Sequence, residues 1–136
     1  MAVAATRTLE LTTTPYPWGR YGMVDLVIAI DGVPQPAQWG TGRWQIPVDR
    51  PVTVDVHLQS GRRVAGAGRH VIPPGGEVRL EYKAPAGWGS PGALGPVGTV
   101  HHEGTDRHAI TSAVLIGGVV LVSLVVVGIA IVLTYR

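Results

Sequence analysis

The chain has 136 residues, 46 % of them apolar and 15 % charged, with a formal net charge of +2 and no cysteine. That length suits one domain, and the missing cysteine excludes disulfide scaffolds, thiolate zinc sites and cysteine nucleophiles. The net charge does not point to nucleic acid, because the basic residues form no run and Arg62–Arg63 is the one adjacent pair.

Thr6–Thr13 predicts an opening strand with Leu9 and Leu11 on one face. Met23–Ile30 alternates, placing Val24, Leu26, Ile28 and Ile30 together, and Asp31–Gly32 after it is a hairpin turn signal. Trp44–Val48 reads as a short strand before Asp49–Arg50–Pro51. Val52–Leu58 alternates again, with Val52, Val54, Val56 and Leu58 against Thr53, Asp55 and His57. Gln59–Arg62 is a turn, and Arg63–Ala67 and Arg69–Ile72 follow as two further extended pieces. Pro73–Pro74–Gly75–Gly76 breaks the chain, and Glu77–Lys83 then presents Val78, Leu80 and Tyr82 inward. No window before residue 109 has a helical period with caps. The fold class expected is therefore mainly β: a small sandwich or barrel-like domain over residues 1–84, with Trp39 and Trp44 supplying much of its core.

Ala84–Val100 holds five Gly and three Pro in 17 residues. It predicts a flexible strap that does not continue the sheet, and His101–His108 forms a polar collar behind it, so that residues 85–108 are linker and collar. Ala109–Thr134 carries no charged residue over 26 positions. A bilayer needs about 20 apolar residues in helix, so residues 109–134 are expected to form one transmembrane helix. The N-terminal stretch lacks an apolar signal-peptide core. A tail-anchored, single-pass layout in the plasma (inner) membrane is expected, with the β domain on the cytoplasmic side.

The candidate chemistry is sparse. His101, His102, Glu103, Asp106 and His108 are imidazole and carboxylate groups of the type that bind divalent metals, but their spacing matches no standard motif, and a hydrated collar at headgroup level accounts for them equally. His101, His102, Arg107 and His108 are then candidate contacts to anionic lipid heads. Arg62 and Arg63 sit at a hairpin tip, where they either grip an anionic group or are simply solvated. The aromatic segment Pro15–Tyr21 and Trp88 suit either a partner surface or a cover for the core. There is no phosphate-cradling loop before a helix, no serine elbow and no paired carboxylates. No enzymatic activity, cofactor, metal or small-molecule substrate is expected. Within the span, Ala109, Ala113 and Gly117 stand one above another and Gly128 lies three turns on, a small-residue face on which a second helix packs closely.

Val27–Pro34 (VIAIDGVP), Trp44–Val48 (WQIPV), Pro51–Leu58 (PVTVDVHL) and Pro73–Pro85 (PPGGEVRLEYKAP) together resemble a PEGA-type β module over residues 23–85. Gly61–Arg62 stands where such modules carry Gly-Tyr. Ten Arg against one Lys is the usage of a high-GC genome. The whole layout is similar to small actinobacterial single-pass membrane proteins with a cytoplasmic β domain, among them accessory subunits of the mycobacterial Mce lipid importer. The resemblance implies an accessory role in a lipid-transporting, ABC-type complex and no catalytic residues. Expected partners are integral membrane subunits and the bilayer, met through Ala109, Ala113, Gly117 and Gly128 on the helix and through Trp88 and Leu94 on the strap. A membrane-anchored module binding anionic lipid heads or a metal, and an envelope-facing domain binding wall polymer, are the alternative readings.

Overall fold

The structure, a computed structural model, describes residues 3–17 and 24–104. The compact unit containing them runs to Gly104. Residues 105–136, and with them the expectations for Arg107, His108, Ala109, Ala113, Gly117, Gly128 and the membrane helix, lie outside the described residues, as does the Trp18–Tyr21 half of the aromatic segment. Among the described residues no helix is long and apolar enough to cross a membrane.

The described residues form eight strands: β1 (Thr6–Thr14), β2 (Asp25–Ile30), β3 (Val33–Gln35), β4 (Gly40–Pro47), β5 (Val52–Ser60), β6 (Arg63–Ile72), β7 (Val78–Lys83) and β8 (Ala93–Pro96). They make two four-stranded sheets, ordered β4-β1-β7-β8 and β3-β2-β5-β6. β1 and β7 run parallel, with Leu9 opposite Val78 and Leu11 opposite Leu80; the other pairings are antiparallel.

The alternation in the sequence dictates this arrangement. Side chains in a strand point to opposite faces in turn, and Leu9, Leu11, Val52, Val54, Val56, Leu58, Leu80 and Tyr82 are all buried on that phase. Each aliphatic side chain so covered contributes about 1.5–3 kcal/mol. The core is aliphatic apart from Tyr82, its largest fully buried side chain. Trp39 and Trp44, expected to fill it, are only partly buried and pack against its margin. The volume between the sheets is already taken by Leu, Ile and Val. On the outer face of β1 and β4, polar pairs cross the ladder: Thr12 with Thr41 at 3.0 Å, Arg43 donating to Glu10 at 3.0 Å and Gln45 to Thr8 at 3.1 Å.

Asp31 and Gly32 take positive φ, 50° and 79°, and form the tight turn expected after β2, which here leads into β3. β3 itself escapes sequence pattern because three residues containing Pro34 show no alternation. β6 is one strand where two pieces were expected. Its pairing with β5 shifts between Val56 and Leu58, so Ala65 and Gly66 are buried in succession. This is the signature of a β-bulge.

The strap, expected not to continue the sheet, carries β8, which pairs antiparallel with β7 through Leu80–Pro96, Glu81–Gly95, Tyr82–Leu94 and Lys83–Ala93. Glycine is what permits this. Gly92 approaches β6 so closely that a Cβ there would collide with the Gly66 carbonyl and the Tyr82 ring. Its N–H donates to the Ala67 carbonyl at 3.2 Å. Gly66 has φ 60°, and its carbonyl accepts the buried Tyr82 hydroxyl at 2.6 Å. One side of the sandwich is thus closed by backbone rather than by side chains.

Two pairs of variants test this architecture, read as tryptophan-fluorescence melts of the full chain in detergent. Leu80→Asp should abolish cooperative melting, since an unpaired carboxylate in that core costs several kcal/mol. Arg79→Ser on the exposed phase should stay within about 0.5 kcal/mol of the parent. Gly92→Ala should cost about 1–3 kcal/mol through overpacking, roughly 4–8 °C in melting temperature per kcal/mol. Gly76→Ala, whose Cβ meets open space, should cost far less.

Candidate functional site

Trp88 lies on the loop between β7 and β8. It is 47 % exposed, and the Arg63 guanidinium sits 5.4 Å from its ring centroid, a geometry in which the cation is attracted to the ring face. Arg63 starts β6 immediately after the tight turn at Gly61 (φ 58°), and Val64 beside it is 59 % exposed. The structure therefore joins two features that the sequence offered separately, Arg63 of the hairpin tip and the strap tryptophan. Leu94, expected as the second strap anchor, is partly buried against the core, because β8 pairing turns it inward over Gly68.

The first part of the collar, His102 and Glu103, folds back onto the same loop. Ala86 N–H donates to the Glu103 carbonyl at 2.8 Å. His102 Nδ1 lies 2.6 Å from the Ala84 carbonyl oxygen, and its ring meets Tyr16 edge-on at 5.2 Å between centroids. His102 thus ties residues 84–103 to the segment after β1. His101 is exposed, with Nε2 at 3.5 Å from Glu103. Among the described residues no group of three or more His, Asp or Glu is placed to hold a metal ion.

Arg7 is a residue that sequence reading passed over. It stands on the inward phase of β1 with Leu9 and Leu11 and is 5 % exposed. Its Nε donates to the Pro47 carbonyl at 3.0 Å and its Nη1 to the Gly76 carbonyl at 3.3 Å. Its Nη2 is buried with no acceptor among the described residues. The signal was in the alternation: a cation in phase with two core leucines is a charge carried indoors. Arg7 also lines a cavity of about 360 Å³ between the end of β6 and the start of β7, together with His70, Ile72, Glu77 and Arg79.

Exposed ion pairs brace the other sheet. Asp55 accepts from Arg69 Nε at 2.6 Å, which raises the Arg69 pKa further. The Asp31 carboxylate accepts from Thr53 N–H at 2.9 Å and from Arg50 at 2.7 Å. The Thr53 hydrogen bond first, and Arg50 second, hold its pKa below the ordinary value of 3.8.

No protein-family model matches the chain, and no curated protein or solved structure shows significant similarity to it.

The Asp31 cluster gives a pH prediction with a definite sign. Its carboxyl is more acidic folded than unfolded, so the stabilisation is fully present above the unfolded pKa and disappears as pH falls through the folded one. Asp31→Asn keeps a residue tolerant of positive φ and removes the charge. The variant should melt below the parent at pH 7 and match it more closely near pH 3. A difference that does not narrow on acidification would assign the effect to the turn rather than to the charge.

Proposed function

We propose that the chain is a non-enzymatic accessory subunit of a multi-subunit membrane complex. Residues 109–134 anchor it in the plasma membrane as one helix, and its β domain stands on the cytoplasmic side. The observation that carries this reading is the half-exposed Trp88, with the Arg63 guanidinium over its ring, on the loop to which His102 and Glu103 are hydrogen-bonded. Trp and Arg are the residue types that dominate protein interfaces, and four residues separate Gly104 from Ala109. A Trp–Arg surface of this kind suits contact with integral subunits.

The small-residue face of Ala109, Ala113 and Gly117, with Gly128 beyond, supplies the first contact. Apolar helices in lipid gain nothing hydrophobic from pairing, so close packing must hold them together. The resemblance to accessory subunits of the Mce lipid importer names the first complex to test, a lipid-transporting ABC-type assembly. Contact of the Trp88–Arg63 face with anionic lipid heads is the second reading, supported by the adjacent Arg62.

Gly117→Ile should release most of the subunit from its complex in a mild-detergent pull-down followed by intact-complex mass spectrometry. Trp88→Ala should weaken capture less, and an Arg62/Arg63 double alanine variant least. Retention of Gly117→Ile at the parent level would make the domain the docking element. The chain has no cysteine, so single cysteines at Gly61 and after Arg136 report topology cleanly. An impermeant thiol reagent applied to whole cells should reach the C-terminal site and spare position 61, and the reverse pattern would overturn the orientation.

A further inference from the structure

Arg7 is a guanidinium inside a small aliphatic domain, with no carboxylate within ion-pair distance among the described residues. Fully buried arginines are otherwise paired, and a buried donor without an acceptor carries a desolvation penalty. Two backbone carbonyls satisfy Nε and Nη1, while Nη2 is left unmet.

The surroundings of Arg7 are built like a receptor. β8 stops at Pro96, opposite Leu80, so it leaves Val78 and Arg79 of β7 without a neighbour on that side. β6 continues to Ile72. The gap between them is the cavity of about 360 Å³. Ile72, Pro73, Pro74, Val78 and Pro96 give it apolar walls; Arg7, His70 and Arg79 bring three basic side chains and Glu77 one acid. Arg79 and Glu77, both exposed, make no ion pair among the described residues.

We infer that this cavity is a binding site for a carboxylate carried on a short aliphatic stem. The carboxylate oxygen accepts from the Arg7 guanidinium, which lines the cavity. Arg79 adds charge at the rim, and the stem lies against Ile72, Val78 and the prolines. Apolar walls favour this ligand over inorganic phosphate, which has nothing to place against them. The same chemistry is offered by a free branched short-chain acid and by the C-terminus of a peptide ending in Leu or Val. The site is independent of the Trp88 face and of the membrane reading.

The full chain in detergent micelles, ¹⁵N-labelled, is titrated at constant ionic strength in three arms: 3-methylbutanoate, an N-acetylated pentapeptide ending in Leu, and inorganic phosphate. Saturable shifts of the Gly75, Gly76 and Glu77 amides are expected with at least one carboxylate. Tighter binding of the peptide identifies a chain terminus as the source, and equal binding identifies the free acid. Arg7→Gln should weaken binding at least about tenfold, the loss expected for one charge-assisted hydrogen bond. Arg79→Gln should weaken it a few-fold, and Glu77→Gln should strengthen it. Because Arg7 also ties Pro47 to Gly76, its variant is first checked for an unchanged amide spectrum elsewhere. If it does not fold, the opposed effects of the two rim variants decide the matter. No saturable shift with either carboxylate, phosphate binding as tightly as both, unchanged binding in folded Arg7→Gln, or rim variants without effect would each overturn the site.

Discussion

The Tyr82 hydroxyl, donating to the Gly66 carbonyl at 2.6 Å, is the contact around which the domain closes. A small β-sandwich has little interior, and an eight-stranded one with a four-residue last strand has less. Tyr82 contributes the largest fully buried side chain, and its polar end requires an acceptor inside. The bulge in β6 supplies one by turning the Gly66 carbonyl inward at the point where Gly92 passes. Close passage, bulge and buried phenol need one another: any side chain at Gly92 would push the strands apart and leave the hydroxyl unmet. β8 then follows from the clasp, because Gly92 is delivered beside β6 just before Ala93 begins to pair with β7.

The sequence disclosed those elements whose burial obeys strict alternation. β1, β2, β5 and β7 were legible because Leu9–Leu11, Leu26–Ile28, Val52–Leu58 and Leu80–Tyr82 each mark a single face. β8 was not, since Ala93–Pro96 (ALGP) has no repeating face and its composition is that of a loop. What makes it a strand is a vacant edge on β7 and glycines that let backbones meet, neither of which is local. β6 lost its reading at the bulge, where two neighbouring residues are buried and the phase inverts. The tryptophans misled for a related reason: size argues for the core, but Trp39 and Trp44 occupy its margin because the aliphatic phase already fills the middle.

The site residues divide along the same line. Trp88 and Arg63 were each singled out as exposed, interface-type residues, and their juxtaposition came only from the fold, which brings the β5–β6 turn beside the β7–β8 loop. Arg7 was readable in principle, since its phase places it inward, but a strand pattern gives no sign of whether a charge so placed finds its acceptors. That depends on where Pro47 and Gly76 fall, 40 and 69 residues further along.

The two sheets differ in the span of chain each must gather. The sheet β3-β2-β5-β6 uses residues between Asp25 and Ile72, mostly in hairpins whose partners follow one another closely. The sheet β4-β1-β7-β8 cannot be completed locally, because the parallel ladder sets Leu9 against Val78. On a ribosome adding about 5–20 residues each second, β1 exists for several seconds before its central neighbour has been made. Throughout that interval the strand that later lies at the heart of the sheet has an edge with no native partner, so the order of synthesis runs opposite to the order of burial.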